Sequence, residues 1–118
     1  MMVNLIPFGL HELDATGRVL LYEPVDNPIP VPSPKSIQGR NFFTEVVPFS
    51  QVKGLQGRFK AFVNDGEVER RFVLTLPYNH GRVRVSFLMA RFTKKVFYGF
   101  EGMTIIQIKP DVENVKSE

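Results

Sequence analysis

Few side chains in this 118-residue sequence have the chemistry that catalysis needs. The chain contains two histidines and no cysteine, so it has no thiolate nucleophile, no disulfide and no cysteine metal site. His11 falls in a predicted strand, where it could titrate near neutral pH, and His80 falls in a predicted turn. No nucleophile elbow, phosphate-binding glycine loop or metal-ligand spacing accompanies them. The sequence therefore predicts a protein that is not an enzyme and binds no metal.

The composition is that of one globular domain. Hydrophobic residues make up 43% and charged residues 23% of the chain, with eleven Phe and no Trp. We expect a single domain over residues 1–110, followed by a polar tail over residues 111–118. No apolar run is long enough to span a membrane, and the start of the sequence lacks the pattern of a secretion signal. These features predict a cytoplasmic protein with no membrane association.

The charge balance is mildly basic, with a net charge of +3 from 15 basic and 12 acidic side chains. Seven basic residues crowd into the second half of the chain: Arg70, Arg71, Arg82, Arg84, Arg91, Lys94 and Lys95. Such charges are ordinary at the solvent-facing positions of strands, and no recognisable nucleic-acid module accompanies them. We therefore predict no nucleic-acid partner.

The first elements are two predicted strands. Residues 5–13 and 18–22 flank a turn signal at residues 14–17, which predicts a β-hairpin. Residues 24–34 are rich in proline, which fixes φ and removes backbone N–H donors. This segment is therefore predicted to be a loop.

Helices are predicted in the middle of the chain. Ser33 and Pro34 open a short helix, and Asn41 caps a second segment that ends before Pro48. Ser50 is predicted to cap a longer helix over about residues 50–64. Its apolar residues recur every three or four positions, so one face is expected to be buried.

Three long strands are predicted to complete the chain, over residues 67–78, 82–92 and 96–109. The turns between them are predicted at residues 79–81 and 93–95. Two strands, helices and three further strands describe an α+β fold, with a five-stranded antiparallel sheet and its helices on one face.

This order, together with particular residues, resembles the photoactive yellow protein branch of the PAS sensor domains over roughly residues 8–109. The matching residues are Phe8-Gly9, Asp14, Gly17, Leu20, Tyr22, Pro34-Lys35, Gly39, Asn41-Phe42-Phe43, Val46, Pro48, Gly57, Phe59-Lys60, Gly66, Val83 and Val85. The resemblance implies a PAS-like fold and a role as a sensor module in signal transduction.

The resemblance also identifies the positions that hold the family's chromophore, a coumaroyl group bound as a thioester to a cysteine. The cysteine position is Phe49, the tyrosine at the phenolate is Tyr22, and the glutamate beside it is replaced by Asp26. Without a thiol no thioester can form. The cysteine motif of flavin-binding PAS domains and the helix histidine of haem-binding ones are also missing. We predict no cofactor, and a protein that stays colourless after treatment with activated coumaric acid.

One function compatible with the resemblance is binding of a small, partly aromatic ligand. By alignment, His11 faces inward near Tyr22, and with Asp26 these residues would be the polar anchors of a pocket. The hypothetical pocket comprises His11, Tyr22, Asp26, Phe49, Leu74, Leu76, Tyr78, Ile106 and Ile108. The alternative is a filled core in which His11 is a hydrogen-bonded structural residue.

The outer face of the sheet, opposite the helices, is the other candidate site. The alignment places these apolar residues there: Phe8, Leu10, Val19, Leu21, Val73, Leu88, Phe92 and Ile105. Related domains cover this face with an N-terminal helical cap, whereas this chain begins almost at its first strand, so an apolar patch is expected to mark an interface. The alternative is that strand ends and the stems of Arg82 and Arg84 cover it. We predict a signalling module that forms a homodimer, or binds another signalling protein, through this face.

Overall fold

A computed structural model describes residues 6–24, 31–47, 52–78 and 81–111. Within them the strands are β1 (Gly9–Leu13), β2 (Val19–Pro24), β3 (Glu69–Tyr78), β4 (Gly81–Val96) and β5 (Gly99–Pro110). The helices are α1 (Pro34–Ile37), a single π-helical turn (Phe42–Val46) and α2 (Val52–Asn64). The strands form one antiparallel sheet in the order β2-β1-β5-β4-β3. The predicted α+β fold with a five-stranded antiparallel sheet is confirmed.

Asp14 shapes the turn of the first hairpin. Its Oδ1 accepts hydrogen bonds from the backbone N–H groups of Thr16 (2.9 Å) and Arg18 (3.1 Å). Gly17 follows with a φ of +92°, and a Cβ atom there would lie 2.9 Å from the Phe43 ring. Glycine is therefore required at this position, both for the backbone conformation and for the close approach of the ring. The predicted hairpin turn is confirmed.

A β-bulge in this hairpin changes which side chains face the core. Leu20 is an extra residue between two cross-strand pairs that would otherwise be consecutive. As a result Val19 and Tyr22 are both buried, whereas Leu20 and Leu21 are both exposed. The prediction that Val19 lies on the outer face is wrong, because the bulge shifts the inward–outward alternation of β2 by one residue.

Phe8 also lies in the core and not on the outer face. The next residue, Gly9, has a φ of +135°, and a Cβ atom there would collide with the carbonyl oxygen of Glu23. The alternation of β1 therefore does not continue back through Gly9, and Phe8 packs inward with only 2% of its surface exposed. The outer-face prediction for Phe8 is wrong for this reason.

Asn41 caps the π-helical turn as predicted. Its Oδ1 accepts hydrogen bonds from the backbone N–H groups of Phe43 (2.9 Å) and Thr44 (3.1 Å). The backbone N–H of Phe42 donates to the carbonyl of Gly17 (2.9 Å), which ties this turn to the first hairpin. Phe42 and Phe43 are consequently both held in the core.

The two α-helices follow the predicted pattern with one exception. α1 begins at Pro34 as predicted, but the side chain of Ser33 makes no capping hydrogen bond. α2 buries Leu55, Phe59 and Phe62 along one face, as the spacing of its apolar residues predicted. The predicted cap of this longer helix lies outside the described residues. In the part of the chain that the structure describes, no helix combines the length and the apolar character needed to cross a bilayer.

β4 and β5 form a longer hairpin than the sequence predicted. β4 continues through the expected turn at residues 93–95, and the chain reverses at Phe97 and Tyr98. The predicted turn position is wrong. Residues 93–95 (Thr-Lys-Lys) include no glycine, whereas Gly99 adopts a φ of +144° directly after the observed turn.

One hydrophobic core lies on the helical side of the sheet. The buried residues of α1, the π-helical turn and α2 pack with the inward-facing residues of the strands, which include Leu13, Leu76, Val85, Phe87, Met89, Ile106 and Ile108. His11 is buried on the same side, and this is where the first candidate site lies.

Candidate functional site

The sheet register brings His11 and Tyr22 together. His11 in β1 pairs with Tyr22 in β2 on one side and with Ile106 in β5 on the other. Side chains directly opposite each other in a sheet share a face, so all three point into the core. The imidazole and phenol rings stack with their centroids 4.7 Å apart. The predicted proximity of His11 and Tyr22 is therefore observed.

Within the described residues, His11 has a hydrogen-bond partner on only one side of its ring. Its Nδ1 lies 3.1 Å from the carbonyl oxygen of Ile106, and because a carbonyl only accepts, Nδ1 carries the proton. Nε2 is then a bare acceptor, and among the described residues it has no hydrogen-bond partner. An unsatisfied buried acceptor costs about 1–3 kcal/mol, so a donor that reached Nε2 would be bound favourably.

Both polar residues are neutral near pH 7. Burial in the core lowers the pKa of His11 to about 4, although the hydrogen bond to Ile106 opposes this change. Burial also raises the pKa of Tyr22 to about 12. The Tyr22 hydroxyl donates a 2.7 Å hydrogen bond to the carbonyl of Phe8. Its proton is therefore committed to the backbone, and the hydroxyl presents only its lone pairs to other groups.

Aromatic rings continue this pair toward α2. Phe42 meets the His11 ring edge-on at a centroid distance of 4.9 Å, and Phe43 meets Phe42 in the same way at 5.2 Å. Phe43 in turn contacts Phe59 of α2 at 4.9 Å. The sequence did not predict Phe42 as a neighbour of His11. The signal for it was the Asn41 cap, which fixes both phenylalanines of the π-helical turn against the sheet.

The remaining pocket predictions have different outcomes. Leu76, Ile106 and Ile108 are fully buried in the core, and Leu74 is partly buried against it. Tyr78 belongs to β3, but its side chain is not described. Asp26 and Phe49 lie outside the described residues. The group of three polar anchors is therefore represented by His11 and Tyr22 alone.

Comparisons with known proteins agree with this arrangement of elements. No protein-family model matches the chain. The chain is 35% identical over 89 residues to the photoactive yellow protein of Halochromatium salexigens, a match that covers 75% of this chain and 71% of that one. It is 33% identical over 84 residues to the photoactive yellow protein of Cereibacter sphaeroides, covering 71% and 68% respectively. The chain belongs to the photoactive yellow protein family.

One solved structure supports the same membership, and a second shows the fold. The crystal structure of the photoactive yellow protein domain from the sensor histidine kinase Ppr of Rhodospirillum centenum matches with a TM-score of 0.68 and 26% identity, covering 90% of this chain and 88% of that one. The PAS domain of the quorum-sensing receptor RpfR from Cronobacter turicensis, in complex with BDSF, matches with a TM-score of 0.61. At 14% identity the second match shows the PAS fold alone.

This member of the photoactive yellow protein family has no cysteine. Thioester attachment of a chromophore needs a thiol, so the chain lacks the anchor that the family resemblance implies. The described residues also contain no cluster of three or more His, Asp or Glu side chains that could hold a metal ion. Among the described residues, the inner site offers an imidazole nitrogen without a hydrogen-bond partner, surrounded by aromatic rings.

The outer face of this PAS sheet carries the second candidate site. Leu10, Leu88, Phe92 and Ile105 are each partly exposed there, while Leu21 and Val73 are exposed to 39% and 43%. These six residues, here called the outer stripe, include at least one from every strand. In the register Leu10 and Leu88 are both opposite Gln107, so polar side chains interrupt the stripe.

Charged groups border the outer stripe. Lys94 donates a 3.1 Å hydrogen bond to the carboxylate of Glu12, and Arg84 is paired with Asp111. Arg84 is therefore held at the end of β5 by an ion pair. The predicted alternative was that the stems of Arg82 and Arg84 cover the apolar residues. Leu21 and Val73 nevertheless remain exposed.

Proposed function

We propose that this chain is a PAS-type signalling module that works without a covalent chromophore and transmits its signal by binding a second copy, or another signalling protein, through the outer stripe. The observation that carries the proposal is the partial exposure of an apolar residue on every strand of the same face. Apolar side chains that share one face lose unfavourable contact with water when a partner covers them.

The composition of the stripe favours a protein partner. Leu88 lies on the interior strand β4 and Ile105 on the central strand β5, with Arg71 and Glu12 opposite them on the strands outside, which resembles the apolar centre and polar rim of protein interfaces. A homodimer with a two-fold axis is the commonest arrangement for a self-complementary patch. Apolar residues near the centre of such a patch dominate its binding energy.

The test is the mass of the purified protein in solution and its dependence on Leu88. A dimer of this 13.5 kDa chain, or a stable complex with a signalling protein, is expected for the wild type. Leu88→Arg is expected to abolish it, because an unpaired charge buried at the interface costs several kcal/mol, on the order of the binding energy itself. Val68→Arg is the matched control, since Val68 is exposed to 71% and lies before β3, away from the outer face.

Light scattering coupled to size-exclusion chromatography reports these masses, and a pull-down with tagged protein reports hetero-complexes. A wild-type monomer that recovers no partner contradicts the proposal. Association of the Leu88→Arg variant equal to that of the wild type also contradicts the proposal.

The bare Nε2 of His11 favours a second candidate function, the sensing of a small, partly aromatic ligand. Because Nε2 is an acceptor and the Tyr22 proton is already used, such a ligand must present a hydrogen-bond donor to His11. p-Cresol and toluene share a shape and differ in one hydroxyl group. Calorimetric titration should show p-cresol binding about 1 kcal/mol more tightly, and the preference should vanish in His11→Leu. Equal binding of both probes, or binding of neither, removes this candidate.

A further inference from the structure

The hairpin of β4 and β5 extends beyond the rest of the sheet. β3 pairs with β4 only as far as Ala90, and β1 pairs with β5 only as far as Thr104. The pairing between β4 and β5 continues to the pair of Val96 with Gly99. In the part of the chain that the structure describes, residues 93–102 therefore pair only with each other. This segment, here called the hairpin arm, projects from the domain with its turn at the tip.

The hairpin arm carries three aromatic side chains in solvent. Phe97, Tyr98 and Phe100 are exposed to 104%, 82% and 72%. Every other Phe or Tyr whose burial the structure describes is covered at least in part. Since exposed apolar clusters on a protein surface mark interaction sites, the arm has the character of a docking element. It does not belong to the outer stripe or to the His11 site.

The three rings form a layer at the end of the arm. Phe97 and Tyr98 are the turn itself, and Phe100 lies one position behind the closing pair of Val96 with Gly99. With a rise of about 3.4 Å per residue, all three residues fall within about 10 Å of the tip. Amphipathic helices at membrane surfaces bury their Phe, Trp and Leu side chains about 5–10 Å into the boundary between headgroups and acyl chains. The ring layer of the arm has the depth of that boundary.

Two lysines lie at and directly behind the ring layer. Lys95 is opposite Phe100 and Lys94 is opposite Glu101, so the two lysines are on opposite faces of the arm. Lys94 also pairs with the carboxylate of Glu12, whereas Lys95 makes no ion pair within the described residues. Lysine stems can lie along apolar surroundings while the ammonium group reaches a polar layer. The arm therefore combines a ring layer with cations at the level where anionic headgroups would lie.

A lipid surface suits this geometry better than a flat protein surface. Phe100 lies on the core side of the arm, because it has the same alternation as Ile106 and Ile108 and the β4–β5 register has no break between them. Phe97, in the turn, is not covered by any part of the described chain. Rings at the tip and on one side of a projecting arm are covered together when the tip enters a deformable interface. A protein partner would need a pocket shaped to the tip.

We propose that the hairpin arm binds the surface of a membrane that contains anionic phospholipids. Phe97, Tyr98 and Phe100 enter the interface, and the ammonium group of Lys95 contacts the charged headgroups. The sequence predicted no membrane association because no segment is long enough to span a bilayer, but binding at a surface needs no spanning segment. This role goes beyond the proposed function of the outer stripe and does not depend on it.

Cosedimentation of the full chain with lipid vesicles tests the proposal. The vesicles consist of phosphatidylcholine alone or of an equimolar mixture with phosphatidylserine, and the mixture is expected to bind more protein. Phe100→Ser should weaken binding to both about tenfold, because an apolar ring is no longer removed from water. Leu20→Ser is the matched control, since Leu20 is exposed to 41% on β2 at the edge of the sheet and does not belong to the arm.

The role of Lys95 is tested by charge reversal. Lys95→Glu should weaken binding to the mixed vesicles about fivefold or more and leave binding to phosphatidylcholine nearly unchanged. Lys95→Arg should bind as the wild type does, because it keeps the charge. High salt should reduce the difference between the two vesicle types, since it screens the attraction between charges. Circular dichroism confirms that each variant is folded.

Fluorescence locates the tip in the bilayer. The chain contains no tryptophan, so Tyr98→Trp introduces a single reporter at the tip. Its emission should shift to shorter wavelength when mixed vesicles are added, because the ring leaves water. Lipids brominated near the headgroup should quench it more strongly than lipids brominated near the chain end, because the tip enters only the interface. Val73→Trp, on the edge strand β3, is the control and should show neither change.

Several results would overturn the proposal. They are a wild type that sediments with neither vesicle type, binding of Phe100→Ser equal to that of the wild type, and an unchanged emission of Tyr98→Trp. Lys95→Glu that binds the mixed vesicles as the wild type does would overturn the contact with anionic headgroups. Self-association that requires Phe100 and occurs without any vesicle binding would assign the arm to a protein interface instead.

Discussion

The His11 site and the hairpin arm are both rich in aromatic rings, but the surroundings of those rings are opposite. Around His11, the rings of Tyr22 and Phe42 are fully or almost fully buried, and their mutual distances and angles are fixed by packing. In the hairpin arm, Phe97 and Phe100 contribute apolar surface that the domain itself leaves uncovered. Rings of the first kind stabilise the fold, while rings of the second kind are available for binding. Substitutions in the two regions should therefore separate stability from association.

The largest expected contrast is between two Phe-to-Ala substitutions. Phe42→Ala removes a fully buried ring that contacts His11 and Phe43, so it should lower the free energy of unfolding by about 3–5 kcal/mol. Phe100→Ala removes an exposed ring and should change it by less than about 0.5 kcal/mol. Urea unfolding at a protein concentration low enough for monomers measures both. Equal losses for the two variants would contradict the comparison.

The next contrast is the dependence of stability on pH. The pKa of His11 falls from 6.5 when unfolded to about 4 when folded, so between these values the unfolded chain binds the extra proton. Acidification from pH 6.5 to pH 4 should therefore cost the wild type about 3 kcal/mol through His11. The His11→Leu variant should not show this loss of stability, whereas the loss caused by protonation of carboxylates should remain. Chemical unfolding at several pH values in this range measures the free energy of unfolding of both proteins. If it falls equally with pH in the two, His11 is not buried in its neutral form.

A smaller effect is expected from removing one hydroxyl group. Tyr22→Phe deletes the 2.7 Å hydrogen bond to the Phe8 carbonyl and should destabilise the fold by about 1 kcal/mol. Tyr98→Phe, at the exposed tip of the hairpin arm, is the control and should leave the melting temperature unchanged. Thermal unfolding compares the two. A Tyr98→Phe protein that melts lower than Tyr22→Phe would reverse the assignment of inner and outer rings.

The smallest expected effect concerns the ion pair that connects the hairpin arm to β1. Lys94 and Glu12 meet at 3.1 Å with the lysine half exposed, so a double-mutant cycle with Lys94→Ala and Glu12→Ala should give a coupling below about 1 kcal/mol. High salt should remove most of that coupling, because it screens exposed charges. A coupling that is large and insensitive to salt would mean that the arm is anchored to the sheet more firmly than its exposed rings indicate.

Much of the fold could be predicted because its signals are local. The Asp14 turn, the Asn41 cap and the three-or-four spacing of apolar residues in α2 each depend on residues close together in the sequence. The same local signals carry the resemblance to the photoactive yellow protein family. The lack of a thiol is likewise a property of composition, and no packing can change it.

Other predictions failed where one residue altered a pattern that was otherwise regular. No local signal marks Leu20 as a bulge residue, so Val19 was expected on the wrong face of β2. The positive φ of Gly9 similarly turned Phe8 into the core. In each case strict alternation was a reasonable expectation, but pairing with a neighbouring strand decides where it breaks.

The sequence by itself determined the order of the elements, the antiparallel α+β fold and the lack of a cysteine for a thioester-linked chromophore. Only the tertiary structure decided that Nε2 of the buried His11 has no hydrogen-bond partner among the described residues, and that the hairpin of β4 and β5 extends past its neighbours with three rings in solvent. The physical reason is the range of the interactions. Turns, caps and periodicity arise from adjacent residues, whereas burial, unsatisfied polar atoms and exposed strand ends depend on where distant segments begin and stop pairing.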